Sequence, residues 1–122
     1  IPVMHGEDYI SLGFIFGSEA TTRVVYISDV SRIPHETREF ITSQRIDILV
    51  LDTLRRHFTH PTHFNLPQAL DVVADLQPGR TLLVGMTDDF DHDAINAQLA
   101  EEVGHLNVQL AHDGLCIDDL GF

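Results

Sequence analysis

Two short, almost uninterrupted apolar runs constrain this chain more than any other feature. Ile46–Leu51 has Asp47 as its one polar member, and Thr81–Met86 is apolar after its first residue. Both are of strand length, and neither shows the alternation of a strand with one face in water. Such runs suit strands covered on both faces, as in parallel sheets. Helical patterns lie around them. Pro34 opens a helix through about Gln44, with Glu36 and Glu39 complementing the N-terminal dipole. Asn65 can cap a second helix from Leu66 to Leu76, which Pro78-Gly79 stops. Asp91–Val103 places Ile95, Leu99 and Val103 on one side of a third.

Strand-like segments flank this core pattern. Ile10–Phe16 and Arg23–Ser28 are rich in β-branched and aromatic residues and are joined by a Gly/Ser/Thr turn, which predicts an antiparallel hairpin. Asn107–Ala111 and Leu115–Ile117 flank Asp113-Gly114, which predicts a second, terminal hairpin. The order β-β-α-β-α-β-α-β-β predicts an α/β fold, a mixed sheet with helices packed on one face. The opposite face then needs either further helices or a second sheet that this chain does not supply.

Composition narrows the function. At 122 residues, with no repeat, linker or low-complexity tract, the chain reads as one unit. Nineteen Asp and Glu against seven Lys and Arg give a net charge of −12, which repels phosphate backbones and argues against nucleic-acid binding. A local cationic pocket for a small phosphorylated substrate remains compatible with it. No apolar run approaches the roughly 18–20 residues of a membrane span. Cys116 is the only cysteine, so no intrachain disulfide forms and a reducing, cytoplasmic setting is expected. Ile1 begins without an initiator Met or a basic leader, so a fragment or processed product is expected. Neither a Gly-x-Gly-x-x-Gly nor a Gly-x-x-x-x-Gly-Lys-[Ser/Thr] loop is present, which weakens a nucleotide-binding reading.

The candidate chemistry gathers at strand ends, where ligands of such sheets collect. Asp29 directly follows Val24–Ser28, a rigid support for a metal-ligating carboxylate, although position alone favours an ordinary cap or loop aspartate. Asp52 follows Leu49-Val50-Leu51 in the same way. After it come Arg55, Arg56, His57, His60 and His63, just before the helix that Asn65 caps. A helix start attracts anions, arginine forks bind phosphate oxygens, and a histidine can protonate a leaving oxygen. His57 and His60 fit a solvated loop; His63, beside the cap, fits a functional role. Asp88, Asp89, Asp91, His92 and Asp93 could bind a divalent cation or simply suit a helix N-terminus. His112-Asp113-Gly114 is equally ambiguous, and His5 is a lone histidine that spacing cannot assign.

Pro2-Val3-Met4-His5-Gly6, Ser11-Leu12-Gly13-Phe14, Tyr26-Ile27-Ser28-Asp29-Val30, Leu51-Asp52-Thr53-Leu54 and Thr62-His63-Phe64-Asn65-Leu66 together resemble the metallo-β-lactamase superfamily. The branch they are most similar to lies near the phosphonate-pathway cyclic phosphodiesterases. Gly85-Met86-Thr87, Phe90-Asp91-His92 and Asp113-Gly114-Leu115 fit it too. The resemblance implies an αββα sandwich, of which this chain is the C-terminal half, with two divalent metal ions, zinc or manganese, at one edge. It implies that His5 holds one metal, that Asp29 bridges both, and that His63 assists the leaving group. Arg55, Arg56 and His60 become candidates for binding the substrate. The water between two such cations is acidified into a nucleophile, and the cations polarise the phosphoryl oxygen.

Two departures from the family pattern stand out. Its principal motif, His-Xaa-His-Xaa-Asp-His, is absent, and it normally lies upstream of the segment that His5 begins. Asp88 stands where relatives carry a histidine ligand after the Gly-Met-Thr stretch; an aspartate still suits a hard metal such as manganese. The expectation is a metal-dependent hydrolase, phosphodiesterase-like and acting on a small phosphate ester, whose N-terminal half supplies the remaining ligands and the second sheet. The chain alone is then expected to be inactive. The competing expectation is a degenerate, non-catalytic module that binds a partner, such as a second copy of itself, through its open sheet face.

Overall fold

The computed structural model describes residues 1–122. Its strands are β1 (Pro2–Met4), β2 (Ile10–Leu12), β3 (Phe14–Phe16), β4 (Val24–Ile27), β5 (Ile48–Asp52), β6 (Arg80–Val84) and β7 (Val108–Leu110). Its helices are α1 (His35–Thr42), α2 (Leu66–Leu76) and α3 (His92–Glu102), with a short 3₁₀ turn at Gly104–Leu106. Strands β3-β4-β5-β6-β7 form one sheet in chain order, and β1-β2 form a separate antiparallel pair. Strand β3 is antiparallel to β4, and the other neighbours are parallel. The helices link successive parallel strands in one direction across the sheet, and the buried apolar residues of α1, α2 and α3 share one cluster, so the three lie on one face, as the right-handed rule for such crossovers expects. No helix is long and apolar enough to cross a membrane.

Register explains where the core lies. Val25, Leu49, Thr81 and Val108 align across the sheet, and so do Ile27, Leu51, Leu83 and Leu110. All eight are buried, and all but Thr81 join Ile41, Ala69, Val73, Leu76, Ile95 and Leu99 in one cluster under the helices. The alternate residues face the other way. There Phe14 is 58% exposed, Phe16 45% and Tyr26 38%, while Ile48 and Leu82 are buried. The two apolar runs are thus covered fully on the helix face and only in part on the other.

The terminal hairpin does not form. His112–Gly114 makes the expected turn, with Leu115 N–H donating to the His112 carbonyl at 3.1 Å, but no strand follows it. Instead the tail leaves β7 and reaches the far side of the sheet. Thr22 N–H donates to the Leu120 carbonyl at 2.9 Å, and the rings of Phe16 and Phe122 lie 6.0 Å apart. The Thr22–Leu120 backbone bond takes the place of strand pairing with β7, and Phe122 stays 70% exposed. The first hairpin is also modified. Ile10–Phe16 breaks at Gly13 into β2, which pairs with β1, and β3, which pairs with β4. A Cβ at Gly13 would sit 3.0 Å from the Tyr26 carbonyl oxygen, so glycine lets the chain cross β4 more closely than a side chain would without a local shift.

Helix ends follow the sequence closely. Asn65 caps α2 in a full capping box with Gln68, whose N–H and side chain both engage the cap residue at 3.0 Å. Helix α1 has no side-chain cap, but buried Arg23 compensates at its C-terminus. Its Nη1 donates to the carbonyls of Ile41, Gln44 and Arg45 at 2.9, 3.3 and 3.0 Å. Burial pushes the Arg23 pKa down, against the pull of Asp47. Asp47 in turn accepts from Arg23 N–H at 2.7 Å and from Arg45 Nε at 2.9 Å. These bonds, the backbone one first, hold its carboxyl below the usual range. Its stabilisation is therefore complete above the unfolded value of about 3.9 and is lost as pH falls through the lower folded value. Asp47→Asn is expected to cost about 1 kcal/mol at pH 7. In urea unfolding, the gap from the unsubstituted chain should close once both carboxyl states are protonated.

Candidate metal centre

Four loops converge beyond the ends of β1, β4, β5 and β6. Asp29 lies two residues past β4 in the left-handed region, at φ 51°. Aspartate tolerates that conformation better than most side chains. Ser11 Oγ donates to the Asp29 carbonyl at 2.7 Å, which secures the turn from outside. On its inner side, fully buried Val30 takes Phe64 N–H on its carbonyl at 3.0 Å. That bond draws the loop carrying His63 against the end of β4, and buried Phe64 anchors it in the core.

His5 directly follows β1. Its Nδ1–H donates to the Thr62 carbonyl at 2.8 Å, since a carbonyl can only accept. Nε2 is therefore the nitrogen with a free lone pair. His63 Nδ1 lies 2.6 Å from Asp52 Oδ2, and the His5 and His63 rings stand nearly perpendicular with centroids 4.8 Å apart. One ligand atom from each of His5, Asp29 and His63 lies within 4.8 Å of the others. Two imidazoles and a carboxylate are a donor set that suits zinc or manganese. Each imidazole also has its Nδ1 engaged by a carbonyl or a carboxylate, the outer-shell arrangement that orients metal-binding histidines. The donors present therefore fit a divalent cation.

The other sequence candidates divide. His60 is brought beside the group, its ring centroid 5.2 Å from that of His63 and its Nδ1 3.2 Å from Thr62 Oγ1. The half-buried Arg55 side chain makes no hydrogen bond, so its guanidinium is free to take an anion. Arg56 is engaged elsewhere, with Nη2 3.4 Å from Gln98 on α3. Asp88 is exposed and lies outside the His5–Asp29–His63 group. Its neighbour Asp89 ties the loop down, accepting from Thr87 Oγ1 and from Arg56 N–H. Those bonds, the threonine one first, hold the Asp89 carboxyl below its ordinary value. His92 and His112 form a separate pair, with ring centroids 5.8 Å apart.

Residue patterns alone did not assign Asp52 a role. Its position at a strand end was the one available signal. Its partners Val30 and His63 come together only through the fold.

Comparison with known proteins bears on this geometry. A family described as the beta-lactamase superfamily domain matches residues 1–86. Among solved structures, a diphosphatase of the PhnP family is 37% identical, with a TM-score of 0.76 over 93% of this chain and 40% of its own. The metallo-beta-lactamase fold protein YhfI from Bacillus subtilis superposes with a TM-score of 0.65 at 17% identity, over 93% of this chain and 46% of its own. At that identity the second likeness shows the fold alone. The chain spans less than half the length of either protein. No curated protein matches it.

Proposed function

The chain belongs to the beta-lactamase superfamily, a family of metal-dependent hydrolases with the α/β fold described above, and from that premise we propose that it is the C-terminal half of a hydrolase acting on a small phosphate ester. The convergence of His5, Asp29 and His63 within 4.8 Å carries this reading. The diphosphatase relative supports a phosphoryl substrate over the other ester and amide substrates such folds accept.

In this proposal His5 and Asp29 hold divalent cations, zinc or manganese, and Asp88, outside the His5–Asp29–His63 group in this structure, serves as a further ligand in place of a histidine once its exposed loop meets the preceding half. When bound, two such cations acidify water and polarise a phosphoryl oxygen. His63 takes up a proton at Nε2, the nitrogen that Asp52 leaves available, and passes that proton to the departing oxygen while Nδ1–H stays on Asp52. Arg55 and His60 bind the non-reacting phosphoryl oxygens, near the N-terminus of α2, and Arg56 joins them by giving up its long contact with Gln98. A preceding half supplies the remaining ligands and the sheet that covers Phe14, Phe16 and Tyr26. Lacking those ligands, the 122-residue chain turns over no substrate by itself.

The test is hydrolysis of phosphodiester and diphosphate substrates, with manganese or zinc, by the protein that includes the preceding half. His63→Ala is expected to lower kcat about 10²–10⁴-fold, the usual share of a general acid. No cation-dependent turnover of either substrate would count against the hydrolase. It would favour a non-catalytic module that binds through the open sheet face, a reading consistent with Asp88 lying outside the His5–Asp29–His63 group and with exposed Phe14 and Phe16.

A further inference from the structure

Asp52 carries a buried carboxylate that the proposed reaction does not consume. Its side chain is 4% exposed, and that of His63 is 18% exposed. Oδ2 accepts from two directions, from His63 Nδ1 at 2.6 Å and from Val30 N–H at 3.2 Å. Oδ1 points at Gly85, where an added Cβ would lie only 2.8 Å away. The absence of a side chain at Gly85, at φ +80°, leaves the space the carboxylate occupies. One buried group thus joins the end of β5, the turn bearing Asp29 and the loop bearing His63.

We infer that Asp52 is the positioning residue of this site: it fixes His63 as the Nδ1–H tautomer and holds its ring against the Asp29 turn. An ionised carboxylate accepts and cannot donate, so the proton between the two groups sits on Nδ1. In the neutral ring Nε2 is then the bare nitrogen directed to chemistry, where it accepts the proton that His63 later passes to the departing oxygen, as in other carboxylate-oriented imidazoles. Val30 N–H on the same oxygen prevents the carboxylate from swinging away with the ring. The inference rests on the functional reading of His63, but the tautomer itself is measurable without cation or substrate.

The experiment is two-bond ¹H–¹⁵N correlation on the 122-residue chain with ¹⁵N-labelled histidine, free of metal, at about pH 8.5, where ordinary histidines are neutral. The expected spectrum shows His63 with a protonated Nδ1 and a bare Nε2. His5 is expected to show the same pattern, because Thr62 holds it independently. In Asp52→Ala, His63 is expected to change to a mixture dominated by Nε2–H while His5 keeps its pattern, which also reports an intact fold. A wild-type His63 protonated at Nε2 would overturn the inference, whether or not the variant folds. So would an unchanged His63 tautomer in a folded Asp52→Ala. A hydrolase test that fails while these spectra come out as expected would remove the reaction and leave the positioning intact.

Discussion

In the protein that includes the proposed preceding half, Asp29→Asn is expected to lower the kcat of cation-dependent hydrolysis by at least about 10³-fold, while the melting temperature stays within a few degrees. Several kcal/mol of transition-state stabilisation depend on cations held at this position, and about 4 kcal/mol corresponds to that factor. Asparagine is the informative replacement because it accepts the left-handed backbone, φ 51°, that the turn imposes. Alanine would combine loss of the ligand with backbone strain. The Asp29 carbonyl would still accept from Ser11 Oγ, since that bond does not involve the side chain. The assay is kcat with manganese or zinc beside a thermal unfolding curve. Full activity would remove Asp29 from the site, and a collapsed melting temperature would make its role structural.

Leu83→Ala is expected to destabilise the chain by about 3–4 kcal/mol, the middle of the range for fully buried leucines. Leu83 is fully buried, aligned between Leu51 and Leu110 on the helix face of the sheet. A domain of this size has about 5–15 kcal/mol in total, so the change removes a large share. Tyr26→Ala on the opposite face is expected to cost about 1 kcal/mol or less, since Tyr26 is already 38% exposed. Urea unfolding of the two variants measures the asymmetry directly. Equal losses would mean that the two faces of the sheet contribute alike, contrary to the burial pattern.

Much of the scaffold is legible in the residues because its signals are local. Asn65 announces the start of α2, and Ile48–Leu51 and Leu82–Val84 announce buried strands. The terminal hairpin fails for a non-local reason. Asp113-Gly114 turns as its chemistry requires, but Leu120 and Phe122 find partners at Thr22 and Phe16, far away in sequence. The site is less legible still. His5 and Asp29 have no spacing that marks them as partners; Asp29 offers only its place at a strand end, and resemblance to a family pattern alone singles out His5. Asp52 and His63 are 11 residues apart across a loop, so no periodicity pairs them. Their contact depends on Phe64 anchoring that loop and on the space beside Gly85. Asp88, expected from the family pattern to be near the metals, lies outside the His5–Asp29–His63 group.

Metal content tests the central claim most directly. The protein that includes the preceding half, purified without chelators, would be analysed by elemental mass spectrometry beside its Asp29→Asn variant. About two equivalents of zinc or manganese in the first, and a clear loss in the second, is the expected result for the proposed two-cation site with Asp29 among its ligands. A folded protein that holds no zinc or manganese, or that holds the same amount in both forms, would contradict it.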